Sequence, residues 1–102
     1  MNNPNEITLA EAVIMTHAFQ NDSTFAGMTI SGKMPNAAYQ DIMSQPGCVD
    51  VRTYFAKNSN GDLTFVVIGV DSNGNDMIAG AVMNKVFPCP SNCPHNSPLM
   101  IY

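Results

Sequence analysis

The sequence predicts an α+β domain with two N-terminal helices packed on a small antiparallel β-meander, followed by an irregular tail rich in proline and cysteine. Three observations support this fold class. Apolar residues recur at helical spacing early in the chain. The middle of the chain contains one run that alternates between apolar and polar residues and one that is apolar throughout, and the last segment has no regular pattern. The predicted parts are a helical region at about 8–45, a meander at about 48–86 and a tail at 87–102. At 102 residues, the chain is expected to be a single domain with one modest core.

The first helix has a sequence signal for its start. Thr8 and Glu11 have the spacing of a capping box, in which each side chain accepts a hydrogen bond from the other residue's backbone amide. Apolar residues then recur at three-to-four spacing up to Phe19 or Gln20, which predicts a helix with one apolar face.

The second helix is predicted over residues 36–44, because Pro35 suits a first helical position and four apolar residues follow at helical spacing. It should end at Gln45-Pro46-Gly47, since proline cannot continue a helix and glycine accepts a left-handed conformation. The stretch from 24 to 33 contains two glycines and is left without an assigned element.

The meander is predicted from three runs at 48–56, 63–70 and, more weakly, 77–82. Two polar loops at 57–62 and 71–76 separate them, and each contains Asn-Gly, a strong signal for a tight turn between strands. The second run is apolar on both faces, so we place it in the centre of the sheet.

The core is predicted to contain apolar side chains of the first two strands. These residues are Val51, Phe55, Phe65, Val67 and Ile68.

Composition argues against several classes of partner. The net charge is −4, and the four basic residues, Lys33, Arg52, Lys57 and Lys85, are scattered, so we expect neither nucleic-acid nor membrane-surface binding. No positively charged start precedes an apolar run, and no apolar run is long enough to span a bilayer. We therefore expect a soluble cytoplasmic protein.

The tail contains the most chemically capable residues. Cys89, Cys93 and His95 lie close in sequence, and Cys48 or His17 would have to complete a zinc site, which usually has four ligands. A Cys89–Cys93 disulfide or redox pair is a second interpretation. The favoured one is reduced thiols packed against the sheet, with no cofactor, since three cysteines do not form a disulfide framework.

A second candidate site is a surface patch on the first strand. Asp50, Arg52 and Tyr54 alternate along the run and share a face, so they would form either a binding patch or a solvated, self-paired surface. No paired carboxylates or nucleophile–base signature occurs, so no catalytic residue is assigned.

Several short motifs together resemble a family of small uncharacterised bacterial proteins. The motifs are Gln45-Pro46-Gly47-Cys48-Val49, Arg52 with Tyr54-Phe55, Gly69-Val70-Asp71 with Gly74-Asn75-Asp76-Met77, and Phe87-Pro88-Cys89-Pro90 with Cys93. The resemblance covers roughly the last 60 residues of the chain, from the first of these motifs onward. It implies a shared fold and a bacterial, cytoplasmic setting, and it implies no activity.

Three functional hypotheses follow from the sequence. The first is a non-enzymatic structural or interaction module that forms a homodimer through sheet-face packing or tail exchange, because only 12% of the residues are charged. The second is a thiol- or metal-dependent protein that uses the cysteine and histidine cluster. The third, an enzyme with an unrecognised pocket, has the least support.

Overall fold

The computed structural model describes residues 3–102 as two α-helices and two antiparallel sheets, which confirms the α+β class. The elements are α1 Leu9–Asn21, β1 Ser31–Lys33, α2 Asn36–Met43, β2 Asp50–Lys57, β3 Leu63–Val70, β4 Val82–Met83 and β5 Phe87–Cys89. One sheet has the strand order β2-β3-β4, and the other pairs β1 with β5. The central position predicted for the second run is confirmed, since β3 lies between β2 and β4.

The N-terminus of α1 has the predicted capping box. The Glu11 amide donates to the Thr8 hydroxyl at 3.1 Å, and a Glu11 carboxylate oxygen accepts from the Thr8 hydroxyl at 2.9 Å and the Thr8 amide at 3.2 Å. Hydrogen bonds from the Thr8 side chain, and then from its backbone, lower the pKa of Glu11 below its ordinary value of 4.5. The charged form of Glu11 therefore stabilises the start of the helix.

Thr8→Ala is expected to lower the free energy of unfolding by about 1 kcal/mol at neutral pH, because the hydroxyl that accepts from the Glu11 amide is lost, whereas the amide of residue 8 can still donate to Glu11. Glu11→Gln should lose only the contribution that depends on charge. Since the folded-state pKa of Glu11 is lowered, that contribution is present above the unfolded-state pKa and disappears as pH falls through the folded-state value. Urea titrations of wild type and Glu11→Gln should therefore converge as the pH falls through the lowered pKa of Glu11. A pH-independent difference would contradict this assignment.

The two loops flanking β3 share one geometry. The first residue of each loop, Asn58 or Asp71, accepts hydrogen bonds through its side-chain oxygen from the amides two and four residues later, at 2.9–3.0 Å. Gly61 and Gly74 have φ values of 86° and 81°, which only glycine adopts without strain. The predicted Asn-Gly turns are thus confirmed. The first of them joins β2 to β3, which pair over eight residues, and the second leads to the bridge between Val70 and Asp76.

The third strand differs from the prediction. It was expected over 77–82, but β4 comprises only Val82–Met83, preceded by an isolated bridge between Val70 and Asp76. The amides of Ile78 and Gly80 donate within the intervening turns, whereas the Met77 amide donates to the Gly69 carbonyl of β3 at 2.9 Å.

The Gln45 side chain holds part of the segment at 77–81 in place. Its side-chain amide donates to the Ile42 carbonyl at 2.8 Å, and its carbonyl oxygen accepts from the Ala81 amide at 2.8 Å. A Cβ at Gly80 would overlap this oxygen, so the close approach requires glycine. One side chain therefore joins the end of α2 to the start of β4 in place of a longer strand pairing.

The buried apolar residues only partly match the predicted core. They are Ile42, Val67, Ile68, Val70 and Cys89. Val67 and Ile68 are as predicted and Phe65 is half-buried, but the prediction is wrong for Val51 and Phe55, which are 38% and 80% exposed. Val51 and Phe55 are exposed because β2 is the edge strand of its sheet, and few of the described residues pack over its side chains.

The helices have different neighbours. α2 contacts β2 and β3, whereas α1 packs mainly on a 3₁₀ turn at Ser23–Phe25, where the rings of Phe19 and Phe25 stack with centroids 4.7 Å apart. His17 Nε2 lies 2.9 Å from a tail carbonyl, and the Gln20 amide exchanges two hydrogen bonds with the tail. The tail, at residues 98–101, is therefore held by α1 of its own chain.

Candidate functional site

The two tail cysteines form a disulfide. Cys89 and Cys93 are bonded through their sulfurs with Cα atoms 4.6 Å apart, and Cys89 is fully buried. The Asn92 amide donates to the Pro88 carbonyl at 2.7 Å and closes the turn that brings the cysteines together. The structure thus differs from the favoured interpretation as reduced thiols and corresponds to the alternative of a disulfide pair.

The other candidate ligands lie apart from this bond. Cys48 is a free thiol whose Sγ donates to the Asp50 carbonyl at 3.2 Å, and it lies against Gly69 of the three-stranded sheet. His95 lines a polar cleft beside β1, and His17 contacts the tail backbone. Within residues 3–102, no three His, Cys, Asp or Glu side chains are grouped so that they could bind one metal ion.

The predicted surface patch contains a residue that the sequence did not assign to it. Arg52 Nη1 donates to Asp76 Oδ1 at 2.5 Å, and the Tyr54 hydroxyl donates to the other oxygen of the same carboxylate. Arg52 also reaches the Gly74 carbonyl at 3.4 Å. Asp50 lies on the same strand, but the partner of Arg52 is Asp76.

This cluster is a self-paired surface. Each carboxylate oxygen of Asp76 accepts a hydrogen bond from a neighbouring side chain, and its charge is paired with that of Arg52. Tyr54 and the charge of Asp76 raise the pKa of Arg52, but arginine is charged at every working pH, so no titration follows. The loop at 71–76 was the sequence signal that could have identified Asp76. Its turn brings Asp76 back opposite Val70 at the end of β3, the strand that pairs with β2.

An apolar groove of about 610 Å³ lies between α1, the 3₁₀ turn and one end of the three-stranded sheet. Its apolar lining includes Met15, Phe19, Phe25, Met28, Phe55 and Phe65. The polar groups among its lining residues are those of Thr16, Gln20 and Thr29, and the lining contains no ionisable side chain. The groove has the size of a small-molecule site, but it has no acid, base or nucleophile for catalysis.

The sequence did not predict this groove because two of its walls were not foreseen. The stretch from 24 to 33 was unassigned, and it contributes Phe25 and Met28. Phe55 was expected in the core, whereas its exposed ring stands 5.8 Å from the ring of Phe65 and forms the rim of the groove.

Within the described residues, no helix combines the length and apolar character needed to cross a membrane. Searches against protein-family models, curated proteins and solved structures find no match to this chain.

Proposed function

We propose that the protein is a non-enzymatic structural or interaction module that works as a homodimer. The observation that carries this proposal is the accessible area of the single chain, 7421 Å². A folded monomer of this mass exposes about 5,600 Å² on average, so the chain exposes about 1,800 Å² more than expected. An obligate dimer interface removes an area of this order from each subunit.

The dimensions of the chain agree with this interpretation. The Cα radius of gyration is 15.4 Å, compared with about 13 Å for a compact domain of this length. Several large apolar side chains are more than half exposed on α1 and near β2. These include Leu9, Ile14, Met15, Val49 and Phe55. Their exposure supports the proposal that a partner surface covers α1 and β2.

Light scattering of the full chain at micromolar concentration tests the proposal. We expect about twice the chain mass of 11.0 kDa, because a second copy would cover the exposed apolar surface. A mass equal to one chain over the micromolar range would contradict the homodimer.

Deletion of residues 87–102 should make the protein aggregate or lose stability. The deletion removes β5, the disulfide and the tail groups that exchange hydrogen bonds with Gln20, and it exposes the surface beneath them. Gln20→Ala in the full chain is the matched control and should have a smaller effect, since the strand and disulfide remain. A truncated protein with unchanged melting temperature and mass would show that the tail contributes nothing.

The thiol-dependent hypothesis remains a second candidate because the Cys89–Cys93 disulfide supplies a redox couple. The burial of Cys89 argues against it, since exchange requires access of a thiolate to a sulfur. The proposed cytoplasmic setting also argues against a lasting disulfide, because disulfides persist mainly in oxidising compartments. Alkylation of thiols in fresh cell lysate, followed by mass spectrometry, would report the oxidation state of the pair.

The bacterial family suggested by the sequence motifs also remains a proposal.

A further inference from the structure

The outer edge of β2 is the largest unpaired feature of the sheet. Its eight residues pair with β3 on one side, and among residues 3–102 no strand pairs with the other side. Seven of the eight residues are exposed. A long exposed edge strand presents unpaired amides and carbonyls, and it is a template for another strand.

We propose that two copies of the chain pair antiparallel along β2, so that their three-stranded sheets join across a two-fold axis. This inference rests on the proposed homodimer and names its interface. The occupant is a second copy because the excess exposed area exceeds the roughly 800 Å² per partner that a standard interface requires.

The symmetry restricts the register of this pairing. A two-fold axis perpendicular to the sheet keeps each side chain on its own face, and directly opposed residues share a face. A residue must therefore pair with itself at the axis. The central candidates in β2 are Arg52, Thr53 and Tyr54.

One of these registers gives favourable pairs for both exposed apolar residues of β2. A centre at Arg52 opposes two guanidinium groups, and a centre at Tyr54 places the apolar Val51 opposite the charged Lys57. With Thr53 at the axis, it opposes its own copy, Val51 opposes Phe55 and Arg52 opposes Tyr54. Threonine pairs and pairs of aromatic with β-branched residues are among the stabilising cross-strand contacts.

This register also covers the apolar side chains that β2 leaves exposed. Val51 and Phe55 point to the same face of the strand, on the side where Phe55 forms the rim of the apolar groove. The partner's Val51 would lie against the ring of Phe55 and extend the apolar wall of the groove. The isolated chain leaves this ring 80% exposed, and the dimer supplies its missing contact.

A charge exchange across the interface tests both the surface and the register. Val51→Lys and Phe55→Glu, made singly, should each weaken dimerisation about tenfold or more, because each places a charge against an apolar partner side chain twice per dimer. The double variant Val51→Lys/Phe55→Glu should recover most of the affinity, since opposite charges then face each other across the axis. Within one chain the two positions are about 13 Å apart and cannot pair.

Ile78→Lys is the matched control. Ile78 is 84% exposed and lies outside β2, and its substitution introduces the same charge as Val51→Lys. It should leave the dimer dissociation constant, measured by sedimentation, unchanged. Circular dichroism of each variant checks that the fold persists.

Cross-linking provides a second measurement that does not depend on weakening the dimer. In a Cys48→Ala background, Thr53→Cys should form a covalent dimer with a short thiol-reactive linker. In the proposed register, residue 53 of one chain lies directly opposite residue 53 of the other at the two-fold axis. Lys57→Cys should not, since its copies would be about 26 Å apart. A monomeric wild type would overturn both the homodimer and this interface. A wild-type dimer that tolerates both charged variants and gives no cross-link at position 53 would overturn only the β2 interface.

Discussion

Ile42→Ala is expected to lower the free energy of unfolding by about 2–5 kcal/mol, the range for deleting a buried aliphatic side chain. Ile42 is 0% exposed and is the only buried residue of α2. The buried apolar set of the described chain is small, so one cavity removes a large share of it. Because small domains are marginally stable, we expect the variant to be largely unfolded at 37 °C.

Urea titration followed by circular dichroism measures this loss. Met43→Ala is the matched control because Met43 is the next helical residue and is 53% exposed, so its replacement should change stability by less than about 1 kcal/mol. Equal effects of the two substitutions would show that α2 does not hold its place through Ile42.

Loss of the Cys89–Cys93 disulfide is expected to lower the free energy of unfolding by about 2 kcal/mol in the chain-entropy account, because the bond closes a short loop. The bond also supports β5, whose Cys89 carbonyl accepts a 2.8 Å hydrogen bond from the Ile30 amide. Cys93→Ala is the better test, since replacing the fully buried Cys89 would add a packing defect.

Thermal melts with and without reductant separate the bond from its surroundings. Reductant should lower the melting temperature of wild type and of Cys48→Ala, and it should have no effect on Cys93→Ala. An unchanged wild-type melt, with a free-thiol count showing the bond reduced, would restore the interpretation of the cysteines as structurally neutral thiols.

The features predicted correctly are those determined by neighbouring residues. The Thr8–Glu11 cap, the Asn-Gly turns and the central position of β3 each depend on a few adjacent side chains or on one apolar run. The loop at 58–62 then sets the register of β2 with β3, since a short hairpin leaves little freedom in pairing.

The candidate site could be predicted only in part. The motif residues Arg52 and Tyr54 were identified, but their partner Asp76 comes from the far side of a turn and depends on the bridge at Val70. The disulfide was one of several open interpretations, because cysteine spacing does not specify whether the intervening backbone folds back on itself.

The helix start, the turns and the alternation of side chains along each strand follow from neighbouring residues alone, because these are local consequences of hydrogen bonding and φ preference. Which faces of the strands are covered depends instead on how the elements pack together. Val51 and Val67 are both β-branched residues in the meander, yet the first is 38% exposed on the edge strand and the second is buried in the central strand. Burial depends on what packs opposite a residue, and that neighbour is set by strand order and by elements distant in sequence.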